Sequence, residues 1–123
     1  MIEPHELRIG NFVEVENYKI IQLENIHPKG TTKGDEIYLS SMLKPIELSE
    51  HWLLKFGFDS NNVAYKIDND RFIFELYFYD AWNLNYVEKS KFGNGSVELS
   101  GYWKIHELQN LFFALTGEEL KIK

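Results

Sequence analysis

The chain contains no cysteine, which removes disulfides, thiolate metal sites and cysteine nucleophiles together and suits a reducing cytosol. No uninterrupted apolar run approaches the roughly 18 residues of a membrane span, and no basic stretch followed by an apolar one opens the chain. The expectation is a cytoplasmic protein with no membrane contact. Basic charge is scarce as well: thirteen Lys and Arg stand against nineteen Asp and Glu, a formal charge of -6. The cations are scattered, among them Lys29, Lys44, Lys66, Arg71, Lys89, Lys104 and Lys123. A surface of this sign repels a phosphate backbone, so direct nucleic-acid binding is disfavoured and a basic protein is the more natural partner.

What the chain does have is aromatic side chains: nine Phe, seven Tyr and three Trp. Such groups bury large areas and are enriched in cores and at interfaces alike. At 123 residues the natural reading is a single domain, with no repeat, linker or low-complexity tract to divide it.

Local patterns predict an α+β fold. Apolar and polar residues alternate over 7–15 around the turn-forming Gly10-Asn11, and 18–23 reads as the return strand of an N-terminal β-hairpin after Asn17. The glycines and proline of 27–35 predict a loop, and 36–40 a third short strand. Ser49 is placed to cap a short central helix over 49–56, with Leu48 and Leu53 at the staple positions and Gly57 as its stop. Two strands, 63–67 and 72–79, flank the polar turn Asp68-Asn69-Asp70. Two more, 82–88 and 97–103, flank a loop over 89–96. The chain then enters a C-terminal helix over 105–116, closed by Gly117. Ile105, Leu108, Leu111, Phe112 and Leu115 form its apolar stripe, with Glu107, Gln109 and Asn110 expected to face away. The sum is an antiparallel β-sheet with two helices and an N-terminal hairpin.

Catalytic and metal chemistry find little support. His5, His27, His51 and His106 lie far apart, no thiolate can complete a tetrahedron, and each is expected at the surface or half-buried. His106-Glu107 is an adjacent acid–base pair, but neighbouring helical residues do not face each other, and both are expected as solvated cap residues. Asp68-Asn69-Asp70 lacks the sixth-position glycine and twelfth-position glutamate of a calcium loop, since Ile73 and Tyr79 stand there. Gly93-Asn94-Gly95-Ser96 does not join a strand to a helix and lacks the lysine of a phosphate-binding loop. The serines have no histidine at a readable offset. No enzyme, cofactor or metal is expected.

Two surface features carry a functional reading. On the strand 72–79, Phe72, Phe74, Leu76 and Phe78 make one apolar face, expected to be core, whereas Ile73, Glu75, Tyr77 and Tyr79 make the other. With Asp80 and Trp82 close behind, the second face is an acidic-aromatic stripe suited to a basic partner, or else a support for the domain's own helix. The loop around Lys89, Lys91 and Phe92 could stack a base between two phosphate contacts, a reading the overall acidity weighs against.

Three segments resemble a family of small phage and prophage accessory proteins: Glu6-Leu7-Arg8-Ile9-Gly10-Asn11, the stretch from Pro45-Ile46-Glu47-Leu48-Ser49-Glu50 to Phe58, and the stretch from Ile105-His106-Glu107-Leu108 to Leu120. They consist of caps, staples and core stripes, so the resemblance implies an origin in a mobile element and a scaffold rather than a reaction. The chain is also similar to anti-CRISPR proteins directed against a type VI RNA-guided RNA nuclease. That resemblance implies a basic, RNA-handling CRISPR effector of the host bacterium as partner and transfers no inhibitory residue. Specificity is then expected within 59–102. The alternative is a nucleic-acid-binding regulator or accessory factor of phage DNA metabolism.

Overall fold

In a computed structural model of the protein, Ser49 and Gly57 bracket the shorter helix, α1 (Glu50–Lys55). The Ser49 hydroxyl accepts the Trp52 N–H at 3.4 Å from an extended backbone, as an N-cap does. At the other end Gly57 takes φ +87, and two bonds of 3.0 Å, Gly57 N–H to Leu54 O and Phe58 N–H to Leu53 O, close a Schellman motif. The longer helix, α2 (Ile105–Thr116), begins where Glu107 accepts the Lys104 N–H at 2.9 Å and ends at Gly117, φ +77. The structure describes residues 2, 6–15, 19–27, 30–33, 36–39, 42–61, 63–90 and 93–123. His5, Asn17, residues 28–29 and 34–35 of the expected 27–35 loop, and Lys91 with Phe92 lie outside these.

The chain divides into two units, Met1–Glu47 with Lys104–Ala114, and Leu48–Trp103 with Leu115–Lys123. In the first, β1 (Phe12–Val15) and β2 (Lys19–Gln22) form the expected hairpin, with Phe12 opposite Gln22. Glu14 also exchanges both backbone bonds with Lys44, which ties the following segment to β1. Ile2, Leu7, Val13, Val15, Ile21, Leu23, Tyr38 and Leu43 make the core of this unit. Part of the expected loop over 27–35 is strand instead. β3 (Asn25–His27), β4 (Gly30–Lys33) and β5 (Glu36–Tyr38) form a three-stranded antiparallel sheet. Strands of three or four residues are too short to show a period, and cross-strand pairing overrides the turn-like composition.

The polar side of α2 corrects the sequence reading most. Gln109 does not face away: it is 2% exposed. Its Oε1 accepts the Phe12 N–H at 2.9 Å and its Nε2 donates to Gly10 O at 2.9 Å. Asn110 donates to Glu6 O at 2.7 Å and accepts from Asn11 Nδ2 at 3.0 Å. Nor is His106 solvated. The residue is 1% exposed, both ring nitrogens lack a hydrogen-bond partner among the described residues, and Glu6 Oε1 lies 3.6 Å from Nε2. Two turns of helix thus carry an apolar stripe, with Ile105, Leu108 and Phe112 buried, and beside it two amides, Gln109 buried and Asn110 half-buried, that bond the backbone of Glu6, Gly10 and Phe12.

The second unit holds a five-stranded antiparallel sheet in the order β10-β9-β8-β7-β6, made of β6 (Asp59–Ser60), β7 (Tyr65–Asp68), β8 (Phe72–Tyr79), β9 (Ala81–Ser90) and β10 (Gly93–Gly101). The Asn69 side chain accepts the N–H groups of Arg71 and Phe72 at 2.9 and 3.0 Å, so the expected polar turn between β7 and β8 is locked by its own amide. The loop expected over 89–96 is largely strand: β9 and β10 stay in register out to Ser90 opposite Gly93. β10 also stops at Gly101, short of the expected Trp103. Phe72, Phe74 and Leu76 are buried, and Phe74 stands near-perpendicular to both Phe58 and Tyr86. Phe78 departs from the core expectation at 58% exposure. β7 pairs with β8 only as far as Tyr65 opposite Leu76, so beyond that point Phe78 has, among the described residues, no strand on one side and rests edge-on against Trp82, 5.5 Å between centroids.

Candidate protein-binding face

Alternation in β8 and the register of its neighbours decide which side chains share the second face of this sheet. Directly opposite residues of antiparallel strands lie on the same side. Lys66 is opposite Glu75, Glu75 opposite Asn85, and Asn85 opposite Glu98, so these form one row across four strands, with Glu98 at its outer end. Tyr77, Asn83 and Ser100 form the next. Tyr79 completes the side at the tip, 76% exposed, with Tyr77 at 40%. Of the residues expected to bind a partner, Glu75, Tyr77 and Tyr79 therefore stand together. Asp80 forms the turn beside them, at φ 63, a left-handed position that Asp tolerates, and Tyr102 Oη donates to its carbonyl. Trp82 stands on the reverse side, because it is opposite Phe78. There it tilts against Tyr65 at 6.2 Å.

Asn83 is fixed: its Oδ1 accepts from Ser100 Oγ at 2.7 Å and its Nδ2 donates to Ala81 O at 3.0 Å. Glu75, Asn85 and Glu98 have no side-chain partner among the described residues. Two strand spacings set the two carboxylates about 10 Å apart with the free amide between them. Around this row lies a shallow depression of about 290 Å³ bounded by Tyr77, Asn83, Asn85, Glu98 and Ser100. Sequence reasoning missed Asn85 and Glu98, whose membership depends on register rather than on spacing within one strand.

Further along the same face Lys89 Nζ holds Asp68 Oδ1 at 2.7 Å, and this bond keeps the Asp68 carboxyl below its usual range. Lys89 is thereby committed to a carboxylate rather than left for a phosphate. A second hollow, about 150 Å³, lies beside Tyr86 and Arg71. Its guanidinium is likewise engaged, by Glu118 Oε2 at 2.8 Å and Thr116 O at 3.1 Å. Burial raises the Tyr86 phenol there, with Glu88 adding to the effect and Arg71 opposing it. Burial likewise raises Tyr65, with Glu50 adding to it by charge and hydrogen bond.

Among the described residues no group of three or more His, Asp and Glu is placed to hold a metal ion, and no helix is long and apolar enough to cross a membrane. Comparison of the chain with protein-family models, curated proteins and solved structures finds no match.

Proposed function

We propose that this chain is a non-enzymatic binding protein that presents the Glu75–Tyr77–Tyr79 face to a basic protein. The observation that carries the reading is Glu98, without a side-chain bond among the described residues at the outer end of a row that holds Glu75 further in beside Lys66, together with two exposed tyrosines on a protein of charge -6. Carboxylates left unpaired on a rigid sheet attract lysine and arginine, and tyrosine supplies contact area at low entropic cost. Taken with the resemblance to phage accessory and anti-CRISPR proteins, the partner is a host RNA-guided RNA-targeting nuclease. The carboxylates then stand opposite cations that the nuclease otherwise uses for phosphate, and its RNA handling is blocked.

The test is binding of the purified chain to a type VI effector, read by calorimetry and by RNA cleavage. Glu75→Lys with Tyr77→Ala should weaken binding about 30- to 1,000-fold, equivalent to about 2–4 kcal/mol, with circular dichroism and melting unchanged. Wild-type binding should itself weaken with salt. A folded double mutant that binds and inhibits as well as wild type refutes the reading. Retention on immobilised nucleic acid that falls steeply with salt would favour the nucleic-acid regulator instead.

A further inference from the structure

β10 is the outermost strand of the five-stranded sheet, paired along its length with β9 and, among the described residues, with no strand on its other side. Ser96, Val97, Glu98, Leu99 and Ser100 are all exposed, on both faces of the strand. Natural edges are protected by lysines, prolines, bulges or short length, because a row of unpaired N–H and C=O groups otherwise recruits another strand. β10 has none of these guards. It runs for nine residues, its register with β9 is unbroken from Gly93 opposite Ser90 to Gly101 opposite Trp82, and its one charge is Glu98. A long unguarded edge in an acidic protein is a template with a preference for what it pairs.

We infer that the free edge of β10 takes up an extended segment of the basic partner as a sixth strand, an assignment that rests on the reading of this chain as a module for a basic protein. Side-chain alternation specifies the segment. Its residues on the side of Val97 and Leu99, which is the side of Tyr86 and Leu84, are apolar. Its residue opposite Glu98 is lysine or arginine. That cation joins the row Glu98–Asn85–Glu75, with one carboxylate as direct cross-strand neighbour and the second two strands further in. A second copy of this chain is the poorer occupant. Two-fold pairing about Glu98 sets two carboxylates together, pairing about Val97 gives Glu98 only a serine, and each copy brings a charge of -6.

The test uses ten-residue synthetic peptides of alternating valine and lysine, with a valine–glutamate counterpart. Two N-methylated versions of the lysine peptide are added, one methylated at odd and one at even positions. A peptide docked as an edge strand uses alternate amides only. One methylated version should therefore lose at least about tenfold in affinity while the other keeps it. The lysine peptide should outbind the glutamate peptide, Glu98→Lys should reverse that order, and the peptide should slow amide exchange at Ser96–Ser100. The inference is overturned if both methylated peptides bind like the parent, if Glu98→Lys leaves the order unchanged, if no lysine peptide binds at millimolar concentration, or if sedimentation shows the chain alone dimerising through β10. Peptide uptake at β10 combined with indifference of the effector to Glu75→Lys/Tyr77→Ala would keep the edge and remove the face reading. The reverse pair of results would remove the edge alone.

Discussion

Replacing Gln109 tests whether a buried amide on α2 holds the N-terminal strand in place. Its Oε1 is the acceptor for the Phe12 N–H at 2.9 Å, and Phe12 is itself buried. The other two bonds have substitutes. Gly10 O also receives Gln22 Nε2 at 3.0 Å, and Asn11 Nδ2 also reaches Asn110 Oδ1 at 3.0 Å. Gln109→Leu, which keeps most of the volume, therefore removes the side-chain acceptor of one buried donor, a loss of about 1–3 kcal/mol. Gln109→Ala adds a small cavity and should lose about 2–4 kcal/mol. With a urea slope of about 1–3 kcal/mol/M for a protein of this size, the alanine variant should unfold about 0.7–4 M earlier. The site-specific readout is hydrogen exchange at Phe12, whose amide should lose protection in both variants while amides of β8 and β9 exchange as before. Unfolding of Gln109→Leu at the wild-type midpoint, with the Phe12 amide still protected, would refute the assignment of Gln109 as its essential acceptor.

His106 should behave in the opposite sense: both its ring nitrogens are buried without hydrogen bonds among the described residues, so His106→Leu should match or exceed wild-type stability in urea. A loss above about 2 kcal/mol would mean that the contact with Glu6 is needed for folding. The Asp68–Lys89 pair makes a prediction in pH. The folded Asp68 carboxyl lies below its ordinary value because Lys89 bonds it, so what the pair contributes is present above an unfolded value of about 3.9 and lost as pH falls through the folded one. Lys89→Met should raise the Asp68 midpoint in an NMR titration with little change in stability, since both groups are well exposed. An unmoved midpoint would mean that the pair does not form in solution.

Features governed by a few adjacent residues were legible in the sequence: the Ser49 cap, the Gly57 and Gly117 stops, and the polar turn around Asn69. What the sequence hid were matters of partner and position. Gln109 was assigned to solvent by its polarity, yet Ile105, Leu108, Gln109 and Phe112 occupy successive positions of one helical stripe, and spacing alone places the amide inside. A polar residue on such a stripe is an instruction to look for the backbone group that it bonds, here the Phe12 N–H. His106 offers no comparable lesson, because the described backbone gives its ring nothing to bond.

The membership of the candidate face turns on parity, and there the missed signal was present. β9 reads Trp82-Asn83-Leu84-Asn85-Tyr86, apolar on even numbers and polar on odd, just as β8 is apolar at Phe72, Phe74, Leu76 and Phe78. An antiparallel pair must match like with like, since a one-residue slip would carry Leu84 and Tyr86 to the polar side and both asparagines to the apolar one. Even residues therefore face even residues, which puts Trp82 behind Phe78 and sets Asn83 and Asn85 beside Tyr77 and Glu75. The same rule extends to β10, where Val97 and Leu99 follow the apolar side of β9 and Glu98 must take the other. Once the strands are known to be neighbours, the alternation of their own residues is enough to put Glu98 on the face of Glu75, and the register through β9 then sets the two in one row.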